Sequence, residues 1–250
     1  MKEKRKKFNT PIIGIETIDG ISVFYNTLGD YSTVIKCENP IIEYSANTES
    51  YYAFHDLFVS IVKILGKGYC IQKQDVFSKK QYDYQGDNSD FLSSKYFAHF
   101  TGRTYTDVQT YITITGELPK GRMLSFDKKK FDIFLKNINK VIDLFHNKKL
   151  KARLLNENEI DDYLRNYLTV NFKESVTKLD NFNVKDEYIK IGSKIVQNIS
   201  VVDIDEVNFP TVIKPYKDVQ IGKGFPVDIM EFLNKVPYWA LLIVSCVLKL

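Results

Sequence analysis

A change of hydrophobic period across one Gly-Lys-Gly turn constrains this chain more than any other feature. Over residues 49–65, apolar side chains recur at Tyr51, Phe54, Phe58, Ile61, Ile64 and Leu65, the spacing of a helix that buries one face. Gly66 stands where a left-handed cap belongs, because a residue without Cβ takes that conformation cheaply. Residues 69–77 then read as an extended run carrying Ile71 and Val76. A helix delivered directly into a strand needs a sheet to receive it.

The rest of the chain repeats those parts. Residues 11–17, 21–25 and 31–37 read as a three-stranded meander whose first turn is Asp19-Gly20, a pair that accepts positive φ at both positions. The second turn is Leu28-Gly29-Asp30. Residues 78–90 read as a polar loop, with Ser89 or Asp90 able to cap a helix that carries Phe91, Leu92, Tyr96, Phe97 and Phe100 on a core stripe. Residues 107–115 (DVQTYITIT) alternate and are rich in β-branched side chains, as a strand requires. Asp127 opens the longest helix, with Phe131, Phe134, Leu135, Ile138, Val141, Ile142 and Phe145 on one stripe, and Lys148 and Lys149 suit its negative end. A short strand at 151–155 precedes a helix with Asn156 and Glu159 placed as a capping box and Ile160, Tyr163, Leu164 and Tyr167 facing inward.

The expected fold class is therefore α/β (α+β): an N-terminal meander, then alternating helices and strands forming a sheet covered by helices, expected on one face. The divisions expected are a basic arm at 1–10, the α/β domain at 11–170, a linker with a β-hairpin region at 171–235, and an apolar tail at 236–250. Within the third, residues 171–185 read as linker, 188–202 as a hairpin turning at Gly192-Ser193, 203–224 as loop, and 227–233 as a short helix.

Charge is uneven. Residues 1–7 hold five of the 35 basic groups and one of the 31 acids, which leaves 30 of each on the remaining 243 residues. A duplex-DNA reader with a basic face is disfavoured. The arm's Lys2, Lys4, Arg5, Lys6 and Lys7 are the expected source of weak contact with an anionic membrane surface. Three widely spaced cysteines, Cys37, Cys70 and Cys246, form neither a disulfide framework nor a zinc pattern and read as reduced thiols of a cytosolic chain. The tail run 239–248 contains one polar side chain, Ser245. As a helix it would span about 15 Å, half a bilayer core, so it reads as a buried strand or as an unpartnered remnant, the second being favoured.

No pattern carries chemistry on its own. Gly222-Lys223-Gly224 is followed by Phe225-Pro226 rather than by the Ser or Thr that a phosphate loop needs, and Gly66-Lys67-Gly68 fails in the same way. His55, His99 and His146 fall on expected helices without a second ligand at metal spacing. Asp161-Asp162 and Asp203, Asp205 and Glu206 read as solvated faces rather than carboxylate pairs. The expected catalytic, cofactor and metal residues are none. Abundant Tyr and Phe raise the possibility of stacking on a single strand, although most sit on helical core stripes.

Taken together, residues 66–115 resemble the N-terminal region of TraG-family conjugation-system ATPases of the Bacteroides type, relatives of the type IV secretion traffic ATPases. The resemblance rests on GKGYCIQKQDVF, FLSSKYFAHFTGR and TYITIT, with the opening strand-IDG-strand, the later YIKIGSKIVQNISVVDID and the Phe225-Pro226 step in the same order. In that family the hydrolytic motor follows this region, so the resemblance implies a non-catalytic docking domain whose partners are secretion-channel components or the motor itself, cytoplasmic or peripheral at the inner membrane. It carries over no catalytic residue. After Val236-Pro237 the pattern is lost, which implies a truncated gene product or a stand-alone paralogue. The alternative expectation is a single-stranded nucleic-acid-binding module using the arm and the aromatics, and a third is an enzyme.

Overall fold

The computed structural model describes residues 11–38, 48–83, 91–117, 126–172, 182–185, 188–192, 194–196, 216–218, 226–228 and 241–250. The basic arm, the Ser89/Asp90 cap, the Gly222-Lys223-Gly224 turn and Asp203, Asp205 and Glu206 lie outside these residues.

The meander forms as expected: β1 (Ile12–Ile18), β2 (Ile21–Asn26) and β3 (Tyr31–Cys37) run antiparallel. Asp19 and Gly20 both take positive φ (51° and 79°), the geometry a two-residue hairpin turn demands. Helix α1 (Thr48–Leu65) ends at Gly66, φ 68°, and β4 (Tyr69–Gln81) follows. Next come α2 (Phe91–Ala98), β5 (Thr104–Gly116), α3 (Lys128–Asn147), β6 (Ala152–Leu154) and α4 (Glu157–Thr169). The main sheet has the order β1-β2-β3-β5-β4 and a last strand, β12 (Leu241–Lys249), with β6 also paired to β3.

β4 runs four residues beyond the expected end, because Ser78 to Gln81 continue the ladder with β5 and Lys80 pairs with Asp107 across the strands at 2.5 Å. Three short strands, β7 (Phe182–Val184), β8 (Ile189–Ile191) and β9 (Lys194–Val196), form a separate antiparallel sheet. The hairpin at Gly192 is as expected. β7 falls inside the stretch read as linker, where three residues are too few to show a period. Another pair joins β10 (Tyr216–Asp218) to β11 (Pro226–Asp228), so residues 227 and 228 are strand where a helix was expected.

Alternation along each strand separates two cores. Ile21, Val23, Tyr31, Ile35, Ile71, Ile112 and Ile114 face α1 and α3, which contribute Leu57, Ile61, Leu65, Phe131, Phe134, Ile138, Val141 and Phe145. On the opposite face Phe24, Val34, Val76 and Tyr111 meet Ile160 and Tyr163 of α4 and Phe172. The expectation of helices on one face is thus corrected: α4 crosses to the other side. Its inward stripe holds at Ile160, Tyr163 and Leu164, whereas Tyr167, expected to face inward, is exposed; β6, paired to β3, is the strand that leads into it. Asp127 caps α3, and Asn156 and Glu159 form the full capping box of α4.

The apolar run read as a remnant without a partner is a strand of this sheet. Leu241 to Lys249 pair with Ser78 to Cys70 in continuous register, and Leu250 is tied to Gly68 and Tyr69 by two backbone hydrogen bonds. Removing residues 241–250 uncovers the edge of β4 and should lower the melting temperature by more than about 5 °C in a thermal unfolding scan.

Gly116 meets a tighter limit. A Cβ there would lie 2.2 Å from the Tyr31 ring, and that ring is held edge-on by Phe131 and Phe134 at 5.1 and 4.8 Å. It has nowhere to move. Gly116→Ala should destabilise the chain by about 1–3 kcal/mol in denaturant unfolding.

Candidate functional site

Beyond Thr110 the β4–β5 ribbon continues for six pairs, Val76↔Gln109 to Gln81↔Thr104, after β3 has ended at Cys37. Tyr82 and Arg103 extend it: Tyr82 N–H donates to the Arg103 carbonyl (2.9 Å) and Gly102 N–H to the Tyr82 carbonyl (2.8 Å). Gly102, φ 82°, makes the turn from α2 into β5. The ribbon and α2 together form an arm.

The aromatic stripe expected to pack α2 into the core is instead exposed, a correction to the sequence reading. Leu92 is 75% exposed, Tyr96 62% and Phe97 39%, and Tyr105 of β5 is 41% exposed. These rings pack on one another: Tyr96 lies 5.5 Å from Phe97 and 5.1 Å from Phe100, and Tyr82 6.5 Å from Tyr105. Arg103 stacks over Phe100 at 4.9 Å, and its Nη2 donates to Nε2 of His99 at 2.6 Å. A guanidinium cannot accept, so that imidazole nitrogen is the acceptor. An apolar cluster left in water on a short helix is the kind of patch that marks an interaction surface.

A second feature lies at the base of the arm. A cleft of about 720 Å3 opens at the end of β3, lined by Lys36 and Glu38, by Val108 and Gln109 of β5, by His146 and Lys149 at the end of α3, by Lys151, and by Ala152 and Arg153 of β6. Arg153 grips Glu159 with both terminal nitrogens (2.6 and 2.7 Å), and Lys151 pairs with Glu38 at 3.2 Å. Lys36 sits over the Tyr111 ring, 5.6 Å from its centroid. His146 Nε2 donates to the Ala152 carbonyl at 3.2 Å. Burial pushes the Tyr111 hydroxyl and the Cys37 thiol up to about 12, so both stay protonated and the positive charge here is not offset by them.

Other residues singled out in the sequence are scattered. His55 is exposed on α1, His99 lies in the turn after α2, and only His146 joins the cleft. Asp161 is held by Arg165 one helical turn away at 2.7 Å. Cys37 and Cys70 are free thiols, the first buried. Gly66 and Gly68 serve a turn, with φ of 68° and 91°. Among the described residues no cluster of His, Cys, Asp or Glu could hold a metal ion, and no helix is long and apolar enough to cross a membrane. The cleft was not legible in the sequence, since its cations are separated by more than a hundred positions. The exposure of α2 was not legible either, because periodicity shows a face and not what lies opposite it.

The Arg153 fork holds the Glu159 carboxyl below the usual carboxylate range. A lowered pKa in the folded state contributes stability above the ordinary carboxylate range and loses it as pH falls through the folded value. Arg153→Gln should therefore melt below the wild type at neutral pH, with the gap closing in acid. NMR titration should find Glu159 returned toward the ordinary range.

No protein-family description matches the chain, and no curated protein matches it.

Proposed function

We propose that this chain is a non-catalytic docking domain of the kind that precedes the motor in TraG-type conjugative-transfer ATPases, working in the cytoplasm or at the inner-membrane surface. The observation that carries the reading is the arm, which exposes Leu92, Tyr96, Phe97 and Tyr105 at the end of the hydrogen-bonded β4–β5 ladder. Apolar anchors on a stiff support bind a partner with little ordering cost. Of the sequence patterns behind the TraG resemblance, FLSSKYFAHFTGR (91–103) builds α2 and the turn into β5 on this arm, while GKGYCIQKQDVF and TYITIT lie mainly in the parts of β4 and β5 within the body of the sheet. Its partners on this reading are channel components or the motor, with Lys2, Lys4, Arg5, Lys6 and Lys7 adding contact with anionic lipid.

One observation favours a second reading. Arg103 and His99 both pack on Phe100, the half-buried ring against which the exposed Tyr96 lies, and a cation beside aromatic faces is the combination that holds single-stranded nucleic acid. A paired measurement separates the two. Tyr96→Ser with Phe97→Ser should leave the melting temperature unchanged, since both side chains are exposed, and weaken capture of the channel proteins or motor by at least about tenfold. Capture that survives the double variant would overturn docking through the arm. Binding of a labelled oligothymidine with a steep salt slope, abolished by the same variant, would replace it with the nucleic-acid reading.

A further inference from the structure

We propose that the cleft at the end of β3 is a separate recognition site, one that takes an extended acidic peptide segment of a partner protein. Five basic side chains line it: Lys36 on β3, His146 in the last turn of α3, Lys149 in the turn that follows, Lys151 just before β6 and Arg153 on β6. Outside residues 1–7 the chain is neutral in sum, and within the cleft Glu38 and Glu159 offset Lys151 and Arg153, which leaves Lys36 and Lys149 as the local excess. Its groups are held in place. Lys36 rests on the Tyr111 ring, and Arg153 is fixed by a two-point grip on Glu159.

Lys149 supplies an independent sign. It has φ 58°, the left-handed conformation that glycine takes at helix ends, and the turn it makes is complete: Lys149 N–H donates to the His146 carbonyl and Leu150 N–H to that of Phe145. A side chain here strains the backbone where glycine would not. What the lysine adds is a charge at the mouth of the cleft.

The geometry favours carboxylates over a phosphate chain. The cleft's cations already hold two carboxylates, Glu38 and Glu159, the second in the planar two-bond form suited to guanidinium. The Tyr111 ring is 7% exposed and covered by Lys36, so no face is open for a base to stack upon. A nucleic-acid backbone also needs a track of cations rather than one short cluster.

The test is fluorescence anisotropy of the intact chain with a labelled peptide of alternating Glu and Ser, about eight residues long. The same peptide with Gln for Glu is the control. The acidic peptide should bind at low salt and the control should not. Lys36→Gln and Lys149→Gly should each weaken binding about threefold and together about tenfold, while the exposed Lys63→Gln on α1 leaves it unchanged. Lys149→Gly relieves the strained turn and should melt no lower than the wild type, so its loss of binding would not reflect unfolding. The arm variant with Ser at 96 and 97 should bind the peptide normally, which separates this site from the docking reading. Absence of binding by the acidic peptide, or binding by the two cleft variants as tight as that of the wild type, would overturn the proposal. So would an oligothymidine that displaces the peptide at lower concentration and loses affinity in the same variants.

Discussion

Every element of the main sheet takes its position from β5. It lies between β3 and β4, pairing with seven residues of the first and thirteen of the second. Its alternation sends Ile112 and Ile114 into one core and Tyr111 into the other. A slip of one residue would exchange these faces, putting Tyr111 against α3 and the isoleucines against α4. Such a register is strongly specified because both faces are buried. The same register sets Cys37 opposite Thr110, which fixes where β3 ends, where the cleft opens and where the arm begins.

The two faces hold the fold in different ways. The α1–α3 side is a packed apolar layer in which Phe134, Phe145 and Ile138 are fully buried, so it supplies most of the burial free energy. The α4 side includes a polar network. Gln74, 2% exposed, accepts from the Tyr163 hydroxyl, Tyr111 donates to Gln109 at 2.7 Å, and Ser32 and Thr115 share a hydrogen bond of 2.7 Å. Buried polar groups tolerate few arrangements, since an unmatched partner loses its solvation without replacement. The apolar face therefore favours collapse, and the polar face discriminates between registers.

Local signals in the sequence were sufficient wherever the deciding interaction was local. Asp19-Gly20, the Gly66 cap, the Asn156–Glu159 box and the α3 stripe all close within one or two turns of the chain, and each stands as read. The failures share one cause, a partner far away in sequence. The run at 241–249 looked unpartnered because its partner, β4, lies some 170 positions earlier. The α2 stripe looked like core because an apolar face implies a neighbour, and here the described neighbours are its own rings. Lys148 and Lys149 were read as complements to a helix end. That is accurate for the helix but silent about Lys36, Lys151 and Arg153, which β3 and β6 bring alongside.

The arm tip and the cleft are two ends of one stretch of β5. Val108 and Gln109 line the cleft, and Tyr105 belongs to the aromatic cluster. Tyr105 is four residue steps from Gln109 along the strand, about 13 Å at the usual rise. Because β4 pairs with β5 throughout this segment, the spacing is held by a hydrogen-bonded ribbon and not by a loop. On the proposed reading, a partner with an apolar anchor and an acidic stretch about four extended residues apart would meet both features at once. The second contact would then form at high effective concentration, so two weak sites on a stiff spacer could select one sequence pattern where neither site alone would.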